Sequence, residues 1–587
     1  MTSRAQESPA PAYHRWLLVL VAIAGFINVF FADAFVLDAT LIIGDNPRVT
    51  GAAPLIDIFT TGYWGDVVTG DRLYRPLTLL TFRIEYIWLE FGDQPAFYAA
   101  VNLLLHVLVV LALAAWTRRL TGRPRAGLFA GLLLAAHPIA TAVIPNLVGR
   151  ADLLATLGCL LSLLAWERHR LSEKPWWGLA AAVLWGLALL AKESAAFLPA
   201  VILLRESLDS DRPPPVAWLR RHGLTVTVTA LVGLAWIGLR HQVVGSFDLT
   251  LPQAVMNPVA LAEPGPRIMT GITLIGQYLG QAIWPAHLSA DYSFNAQPVV
   301  ETATAVRLWL AAAGLAVLIG AGVTARRHRP AIALGVGFFL LALLPVSNLL
   351  LVIGTIRADR LLYLPLVGLA LAGGTALAYL QIRLPRRGRT ALVAILALAV
   401  LAMAGRSLAR NPDWADPAAA SRALVQTAPD SVVARYARAE HLLNRGEIDR
   451  AILHADHGVT IAENFTGPPP LFAWTLAGRC RIRLATEAHR NGNPTLAEQA
   501  IEQAREVLSD GYARLDRARR RQAVDDPDAA ALLIRTLAVA WIKCDQPQRA
   551  IPLLQETLQY WPDDPNTMQL LDRARKMTVD SPAPESD

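Results

Sequence analysis

Apolar runs separated by short polar segments fill the first 405 residues of the chain. A helix needs about 20 mostly apolar residues to cross a bilayer. Eleven runs reach or approach that length: 16–37, 97–117, 126–145, 151–167, 176–191, 195–206, 223–240, 306–325, 331–352, 361–382 and 390–405. The run 268–284 is interrupted by Gly and Gln and flanked by Pro, so we expect an interfacial or re-entrant segment there. The pattern therefore predicts eleven membrane spans.

Clusters of arginine and lysine give these predicted spans an orientation, because such clusters mark cytoplasmic loops. The clusters are Arg4 and Arg15; Arg118, Arg119, Arg123 and Arg125; Arg168, Arg170 and Lys174; Arg220 and Arg221; Arg326, Arg327 and Arg329; and Arg383, Arg386, Arg387 and Arg389. They precede the first span or follow an even-numbered one, which predicts a cytoplasmic N-terminus. The 38–96 loop, the 191–194 corner, the 241–305 region and the 353–360 corner then face the opposite side. Because the number of predicted spans is odd, the C-terminal part is expected on this non-cytoplasmic side as well. The first apolar run is expected to be a retained span, because it lacks a signal-peptide cleavage site.

After residue 405 the pattern changes to that of a helical repeat. Ala538 and Ala550 fall where two antiparallel helices must approach closely, Trp541 and Leu554 fill the space between them, and Pro562 ends the second helix. This is the spacing of a tetratricopeptide (TPR) repeat. Two further units carry Ala439, Leu442, Gly446, Ala451 and Ala455, and, in a longer divergent copy, Trp474, Gly478, Ala500 and Ala504. The predicted fold is all-α: a polytopic membrane helical bundle followed by a TPR α-solenoid, with a generic helical-hairpin bundle as the alternative for the tail.

Composition and charge agree with this division. Of the 587 residues, 54% are hydrophobic and 17% are charged, and the mean hydropathy is +0.37, which excludes a purely soluble globular protein. The basic balance lies in the short loops of the membrane half, so we expect no nucleic-acid partner. Three cysteines are too few for a disulfide framework. We expect a membrane domain at 1–405, a linker at 406–430, a TPR domain at 431–577 and a disordered tail at 578–587.

Charged side chains beside membrane spans are costly and mark candidate functional sites. On the predicted non-cytoplasmic side the sequence carries Asp38, Arg75, His106, His137, Arg150, Asp152, Lys192, Glu193, Asp291, Tyr292, Arg357, Asp359, Arg360 and Tyr363. All except His106 and His137, which lie deeper in their spans, are expected near one membrane surface. No G-x-x-x-x-G-K-[ST] loop is present, so a nucleotide site has no support in the sequence.

Seven short strings around these residues, in this order and ahead of TPR repeats, resemble the transmembrane-and-TPR-repeat (TMTC-type) glycosyltransferases of the GT-C superfamily. The strings are FVLDATLIIGDNP, YRPLTLLTFR, AAHPIATAV, VGRADLLA, AKES, SADYS and RADRLLYLP. The resemblance covers nearly the whole chain and implies a GT-C membrane fold. The chain departs from the family in two places: the family usually has a pair of aspartates where Asp38 is followed by Ala39, and commonly has Glu where Asp359 stands.

The resemblance implies an inverting transferase that moves a sugar, such as a mannose-like hexose, from a polyprenyl-phosphate carrier to a hydroxyl acceptor. Asp38 matches the catalytic aspartate of the superfamily and is our candidate general base. Arg357 and Arg360 are the first candidates to bind the donor phosphate, because guanidinium groups bind phosphate through paired hydrogen bonds. Arg75, Arg150 and Lys192 come next. The remaining polar residues named above are expected to support the site.

Each of these roles has a structural alternative. Asp38 could be a loop or capping residue, and Arg150 could pair with Asp152 and Lys192 with Glu193 within the bundle. The two histidines could be satisfied by neighbouring backbone or hydroxyl groups. Tyr363 could stack on the sugar or prenyl chain, or simply anchor a helix at the interface. No cofactor is expected; metal use stays open, although the missing second aspartate argues mildly against it.

The acceptor is expected to be a protein Ser or Thr, with a glycan or lipid acceptor as the alternative. A non-enzymatic membrane anchor for a TPR scaffold is the third possibility. The expected partners are the lipid-linked sugar, the acceptor, a protein on the TPR face and the membrane lipids themselves. The composition, rich in Ala, Arg and Leu and poor in Lys, suggests a bacterial inner membrane, with the TPR domain in the periplasm.

Overall fold

The computed structural model describes residues 11–65, 73–210, 213–245, 254–521 and 526–580. These residues form helices and connecting segments, with no strand among them. The first part forms α1 (Ala12–Ala24), α2 (Pro47–Thr50), α3 (Asp57–Thr60), α4 (Pro76–Arg83), α5 (Pro95–Thr121), α6 (Pro124–Ala135), α7 (Arg150–Ser172), α8 (Pro175–Ala191), α9 (Leu198–Ser207), α10 (Pro215–Val244), α11 (Pro264–Ile283), α12 (Val306–Ala325), α13 (Pro330–Leu343), α14 (Tyr363–Arg383) and α15 (Arg386–Arg410). The second part forms α16 (Pro417–Thr427), α17 (Val432–Asn444), α18 (Ile448–Glu463), α19 (Phe472–Arg490), α20 (Pro494–Arg520), α21 (Pro527–Lys543), α22 (Pro547–Tyr560) and α23 (Pro565–Asp580).

Every predicted apolar run falls on helical structure. Among the described residues, seven segments are long and apolar enough to cross a membrane: Ala12–Phe31, Pro95–Thr121, Leu147–Ser172, Pro215–Val244, Val306–Ala325, Asp359–Arg383 and Arg386–Trp414. Three shorter apolar segments are Pro124–Ala135, Pro175–Ala191 and Pro330–Val346. The remaining run, 195–206, corresponds to α9 and the turn Glu193–Phe197 before it. The predicted interfacial run forms α11, which is not among the seven, and the total of eleven crossings stays a prediction.

The starts of several membrane helices follow from proline. Pro95, Pro124, Pro175 and Pro330 occupy the first position of α5, α6, α8 and α13. Proline lacks an N–H group and has a φ angle already suited to a helix, so it fits the first turn and defines where the helix begins. At the other end of α5, Gly122 adopts a left-handed conformation with φ +66°, which lets the chain turn directly into α6.

Small residues hold α14 at the centre of the bundle. A Cβ atom at Gly335 of α13 would lie 2.5 Å from the carbonyl oxygen of Gly368 in α14, and the reverse holds at Gly368. On another side, a Cβ atom at Gly374 would lie 2.3 Å from the backbone nitrogen of Ala130 in α6. Membrane helices associate through such close contacts between small residues. The turn Asp359–Leu362, which leads directly into α14 and carries Arg360, is therefore positioned by packing along the whole helix.

Basic residues from different loops meet at the end of the bundle where α14 finishes. The guanidinium groups of Arg123 and Arg329 lie 4.6 and 4.8 Å from the ring centre of Tyr379, and Arg125 donates a hydrogen bond to Gln381 at 3.3 Å. The predicted cytoplasmic loops that carry Arg123, Arg125 and Arg329 therefore lie at the same end of the helical bundle. We call the opposite end, which carries Asp38, Lys192 and Arg360, the site end.

The tail forms the predicted helical pairs, α17–α18, α19–α20 and α21–α22, followed by α23. Ala538, Ala550 and Leu554 are fully buried between α21 and α22, as the repeat spacing requires. A Cβ atom at Gly478 would lie 2.4 Å from the side chain of Leu508, so α19 and α20 also approach closely. The predicted all-α fold class, a membrane bundle followed by a TPR solenoid, is confirmed.

The segment expected to be a linker, 406–430, is largely helical. The helix α15 continues to Arg410, and α16 packs against α17 with Ala420 and Leu424 buried. The expected disordered tail, 578–587, begins inside α23, and its residues 581–587 lie outside the described part of the chain.

Candidate active site

Asp38 and Arg360 face each other at the site end. Asp38 follows Leu37, whose φ of +50° turns the chain at the end of the first predicted span, and precedes the helical turn Thr40–Gly44. The closest atoms, Asp38 Oδ2 and Arg360 Nη1, are 3.8 Å apart. The side chains are 41% and 35% exposed respectively, so both remain accessible. In the described residues no hydrogen-bond donor contacts the Asp38 carboxylate, and its lone pairs are available to a ligand.

A paired interaction between Arg75 and Glu193 lies in the same region. Arg75 donates from Nε and Nη2 to the two carboxylate oxygens of Glu193, at 3.0 and 2.5 Å. Burial raises the pKa of the Glu193 carboxyl, but the charge of Arg75 and its hydrogen bonds outweigh burial and lower the pKa to about 2. Glu193 therefore stays ionised near neutral pH. Because its oxygens are already occupied by Arg75, it is a weaker candidate than Asp38 for a general base.

Lys192 pairs with Asp152 and not with its neighbour in sequence. The Lys192 ammonium lies 2.7 and 2.8 Å from the two oxygens of Asp152, and both side chains are buried. The alternative pairing of Lys192 with Glu193 is wrong. The backbone at Lys192 is extended, with φ −160° and ψ 134°, so consecutive side chains point in opposite directions.

Arg150 is a buried structural residue. It donates to both oxygens of Glu85 at 2.5 and 3.1 Å, to the carbonyl oxygen of Tyr98 at 3.0 Å and to the side chain of Asn102. It is completely buried. The alternative pairing of Arg150 with Asp152 is wrong, because residues two apart on a helix such as α7 do not face each other. Arg150 fastens the first external loop to α5 and α7.

Asp359 sits in a second, buried network beside Arg360. Its Oδ1 accepts hydrogen bonds from the Tyr292 hydroxyl at 2.7 Å and from Gln281 at 3.0 Å, and its Oδ2 lies 3.2 Å from Arg410 Nη2. Arg410 is the last residue of α15, the final predicted span. The turn that carries Arg360 is thus held by α11, α15 and the loop containing Tyr292.

Arg357 is turned towards this second network. Its Nη1 donates to Gln277 at 3.1 Å and to Gln297 at 3.4 Å, and its guanidinium carbon lies 4.5 Å from the ring centre of Tyr292. The side chain is buried. Of the two arginines that ranked first from the sequence, Arg360 is accessible beside Asp38, and Arg357 packs inside the supporting structure.

Residues of the SADYS string make contacts with two different parts of the structure. Tyr292 reaches Asp359, whereas Asp291 Oδ2 accepts hydrogen bonds from Ser293 at 3.0 Å and from Ser431, at the start of the TPR domain, at 2.5 Å. Ser289 adds a hydrogen bond to Thr427 of α16 at 2.8 Å. One short loop therefore contacts both the candidate site and the TPR solenoid.

Both candidate histidines are satisfied by nearby groups. His106 Nε2 lies 3.1 Å from the carbonyl oxygen of Ala135, which can only accept, so Nδ1 accepts from the Tyr363 hydroxyl at 2.7 Å. His137 accepts from the backbone of Ile139 and donates to the carbonyl oxygen of Ala282 at 3.1 Å. Tyr363 is fully buried. In this geometry the side chains of His106, His137 and Tyr363 connect neighbouring helices, deeper in the bundle than the candidate site.

Sequence reasoning missed several residues of these networks, namely Glu85, Gln277, Gln281, Gln297 and Arg410. Glu85 and Arg410 were visible as charges next to apolar runs, the signal that identified the other candidates. The uncharged residues gave no comparable signal. Among the described residues, no group of three or more His, Cys, Asp or Glu side chains could hold a metal ion.

Comparisons with known proteins agree with the motifs. The family model described as dolichyl-phosphate-mannose-protein mannosyltransferase matches residues 84–237. Human protein O-mannosyl-transferase TMTC4 is 29% identical over 492 residues, which are 75% of this chain and 65% of that protein. Human TMTC1 and Drosophila melanogaster Tmtc1 are each 28% identical to this chain. The matches cover 72% and 69% of this chain and 52% and 56% of the relatives' own lengths, respectively. The chain thus spans just under two thirds of TMTC4 and little more than half of TMTC1.

Among solved structures, yeast Tom70 aligns with 80% of this chain and 96% of its own at 11% identity, and its TM-score of 0.22 is too low to support an argument. The residues matched by the family model include Arg150, Asp152, Lys192 and Glu193 but neither Asp38 nor Arg360. The resemblance predicted from the motifs is confirmed: this chain is similar to protein O-mannosyl-transferases of the TMTC type.

Proposed function

We propose that this protein is a membrane glycosyltransferase that moves a sugar, a mannose-like hexose, from a polyprenyl-phosphate carrier to a Ser or Thr hydroxyl of a protein. The observation that carries the proposal is the accessible Asp38 carboxylate 3.8 Å from the accessible Arg360 guanidinium. A base and a phosphate-binding cation are the two groups that this transfer needs within reach of one sugar carbon. The relatives' names support a protein acceptor and a mannose donor.

The reaction is a single displacement at the anomeric carbon. The acceptor hydroxyl oxygen forms a bond to that carbon while Asp38 takes the hydroxyl proton. The bond between the carbon and the phosphate oxygen breaks, and its electron pair leaves with the lipid phosphate. Attack from the side opposite the leaving group inverts the anomeric configuration.

Fixed cations would stabilise the negative charge that grows on the leaving phosphate. Arg360 is the nearest to Asp38, and it has no other charged partner in the described residues. Lys192 and Arg75 lie close by but are each held by a carboxylate. These two pairs fix the electrostatic surroundings of the site, and Arg360 supplies the direct contact with phosphate.

We place the site end on the non-cytoplasmic side, in a bacterial inner membrane, with the TPR domain in the periplasm. The contacts of Asp291 and Ser289 with the TPR domain support this arrangement, since they require the domain and the site end to share one side. There the solenoid can present an acceptor protein, or a partner protein, to the site.

Arg360→Ala is expected to weaken use of the lipid-linked donor, because the leaving phosphate loses the accessible cation beside Asp38. We expect kcat/KM for the donor to fall by about 10- to 100-fold, the usual range for one charge-assisted contact. Arg360→Lys should lose less, since it keeps the charge without the paired geometry. Arg422→Ala, an exposed arginine of α16, is the matched control. An unchanged donor response in Arg360→Ala would assign Arg360 to a structural ion pair with Asp38.

A reporter that is active only outside the cytoplasm, fused to the C-terminus of the full chain, is expected to be active. The expectation follows from eleven spans and a cytoplasmic N-terminus. The same reporter inserted between α14 and α15, at residues 384–385, should be inactive and serves as the control. A cytoplasmic signal from the C-terminal fusion would contradict the proposed orientation of the site.

A further inference from the structure

One buried tyrosine hydroxyl in the membrane half differs from the other buried tyrosine hydroxyls there in its hydrogen bonding. Tyr63, Tyr74, Tyr98, Tyr278 and Tyr363 are the buried tyrosines among its described residues. Four of these hydroxyls have a partner: Phe59 O for Tyr74 at 3.1 Å, Gly92 O for Tyr98 at 2.8 Å, Ala358 O for Tyr278 at 3.3 Å and His106 Nδ1 for Tyr363 at 2.7 Å. The Tyr63 hydroxyl has no hydrogen-bond partner among the residues that the structure describes. A buried polar atom without a partner is uncommon and needs an explanation.

The backbone of Tyr63 is fixed on both sides. Its N–H donates to the carbonyl oxygen of Leu73 at 2.7 Å, and its carbonyl oxygen accepts from Arg48 Nη2 at 2.8 Å. The side chain is only 3% exposed, and its ring lies 5.3 Å from the guanidinium carbon of Arg75. The fold therefore holds every other part of this residue in place and leaves only the hydroxyl unused.

The surroundings of the hydroxyl are those of the candidate active site. Burial raises the pKa of the Tyr63 phenol, and the charges of Arg75, Asp38, Arg360 and Asp152 also act on it. The phenol accordingly keeps its proton at neutral pH and is a hydrogen-bond donor. A protonated phenol next to arginine side chains is suited to an anionic oxygen, because hydrogen bonds to charged acceptors are the stronger ones.

We infer that the Tyr63 hydroxyl donates a hydrogen bond to a phosphate oxygen of the lipid-linked donor. The inference rests on the proposed function, and it adds a binding residue that neither the charge pattern nor the motifs had indicated. Tyr63 holds the phosphate from the side of the 38–96 loop, while Arg360 holds it from the turn Asp359–Leu362 before α14. The phosphate supplies the partner that the hydroxyl lacks among the described residues.

The test compares Tyr63→Phe with Tyr74→Phe in the purified full-length chain. Because the Tyr63 hydroxyl has no partner in the described part of the chain, Tyr63→Phe should leave the thermal midpoint unchanged. Its affinity for polyprenyl phosphate without sugar should fall about tenfold, as expected for the loss of one hydrogen bond to a charged group. Tyr74→Phe, which loses a bond to Phe59 in the same loop, should show the reverse: a lower midpoint and unchanged affinity.

Equal binding of polyprenyl phosphate by the wild type and Tyr63→Phe would overturn the contact and leave the proposed function standing. A lower midpoint for Tyr63→Phe, with its affinity unchanged, would assign the hydroxyl a structural role and overturn the contact as well. A loss seen only with the sugar-loaded donor would place the hydroxyl on the sugar and contradict the phosphate assignment. Failure of the wild-type chain to bind polyprenyl phosphate would overturn the proposed function, and this contact with it.

Discussion

Asp38→Asn is expected to lower the rate of sugar transfer by about 10²- to 10⁴-fold, the usual contribution of a positioned general base. Asparagine has nearly the same shape as aspartate but cannot accept the proton of the attacking hydroxyl. The substitution should not affect folding, because Asp38 is partly exposed and its one charged partner lies 3.8 Å away. Exposed ion pairs of this kind contribute about 0–1 kcal/mol to stability. The measurement is the initial rate of transfer, together with the thermal midpoint of the same preparation.

Asp33→Asn is the matched control for Asp38→Asn. Asp33 is an exposed carboxylate five residues earlier, on the same side of the membrane half, and its backbone contacts Ala415. We expect this variant to transfer sugar at the wild-type rate. Sugar transfer at the wild-type rate by Asp38→Asn would show that Asp38 is not the general base. An equal loss of transfer rate in Asp33→Asn and Asp38→Asn would point to a general effect of charge in the loop.

Arg150→Met is expected to destabilise the protein by about 3–5 kcal/mol, the range for breaking a buried ion pair by removing one partner. Arg150 is completely buried and donates to Glu85, to Tyr98 and to Asn102. Methionine has a similar length but no donor, so the Glu85 carboxylate is left without a counter-charge. The expected observation is a large fall in the apparent melting temperature of the purified protein.

Two further variants test whether the loss of stability comes from breaking the Arg150–Glu85 ion pair or from substituting an arginine in general. The double variant Glu85→Met with Arg150→Met should recover part of the lost stability, since no uncompensated charge remains. Arg387→Met, at an exposed arginine in the first turn of α15, should change the stability by less than about 0.5 kcal/mol. A melting temperature for Arg150→Met close to that of Arg387→Met would show that Arg150 does not fasten the external loop.

The elements of the fold could be predicted because each depends on local sequence. A run of apolar residues specifies a membrane helix wherever it lies, and small residues at repeat spacing specify close helical pairs. The positions expected from the repeat, such as Ala538 and Ala550, are indeed buried. The type of fold therefore follows from patterns within about 35 residues of chain.

The ion pairs depend instead on which distant segments meet. Arg75 and Glu193 are 118 positions apart, and Arg150 and Glu85 are 65 apart. Sequence neighbours were the obvious alternatives, but helical and extended backbones direct those neighbouring side chains away from each other. For the same reason the neighbouring residues Asp291 and Tyr292 contact different parts of the structure: Asp291 contacts the TPR domain and Tyr292 contacts Asp359. No local sequence pattern indicates which of the two residues makes which contact.

Polar atoms without partners could not be predicted from sequence at all. The Tyr63 hydroxyl became a candidate only when the other buried tyrosines were found to be paired. Arg410 is visible in the sequence as a charge after the last apolar run, but its role beside Asp359 depends on where α15 ends. Both residues tie the candidate site to parts of the chain that carry none of the family motifs.

The most direct measurement of the central claim uses the purified full-length protein, mannosyl-phosphoryl-polyprenol and a synthetic peptide containing Ser and Thr. Mass spectrometry follows the peptide, and release of polyprenyl phosphate is measured in the same reaction. We predict that the wild type and Asp33→Asn add one hexose to the peptide for each polyprenyl phosphate released, and that Asp38→Asn adds almost none. Hexose transfer at the wild-type rate by Asp38→Asn, or transfer only from a nucleotide sugar, would contradict the proposed site.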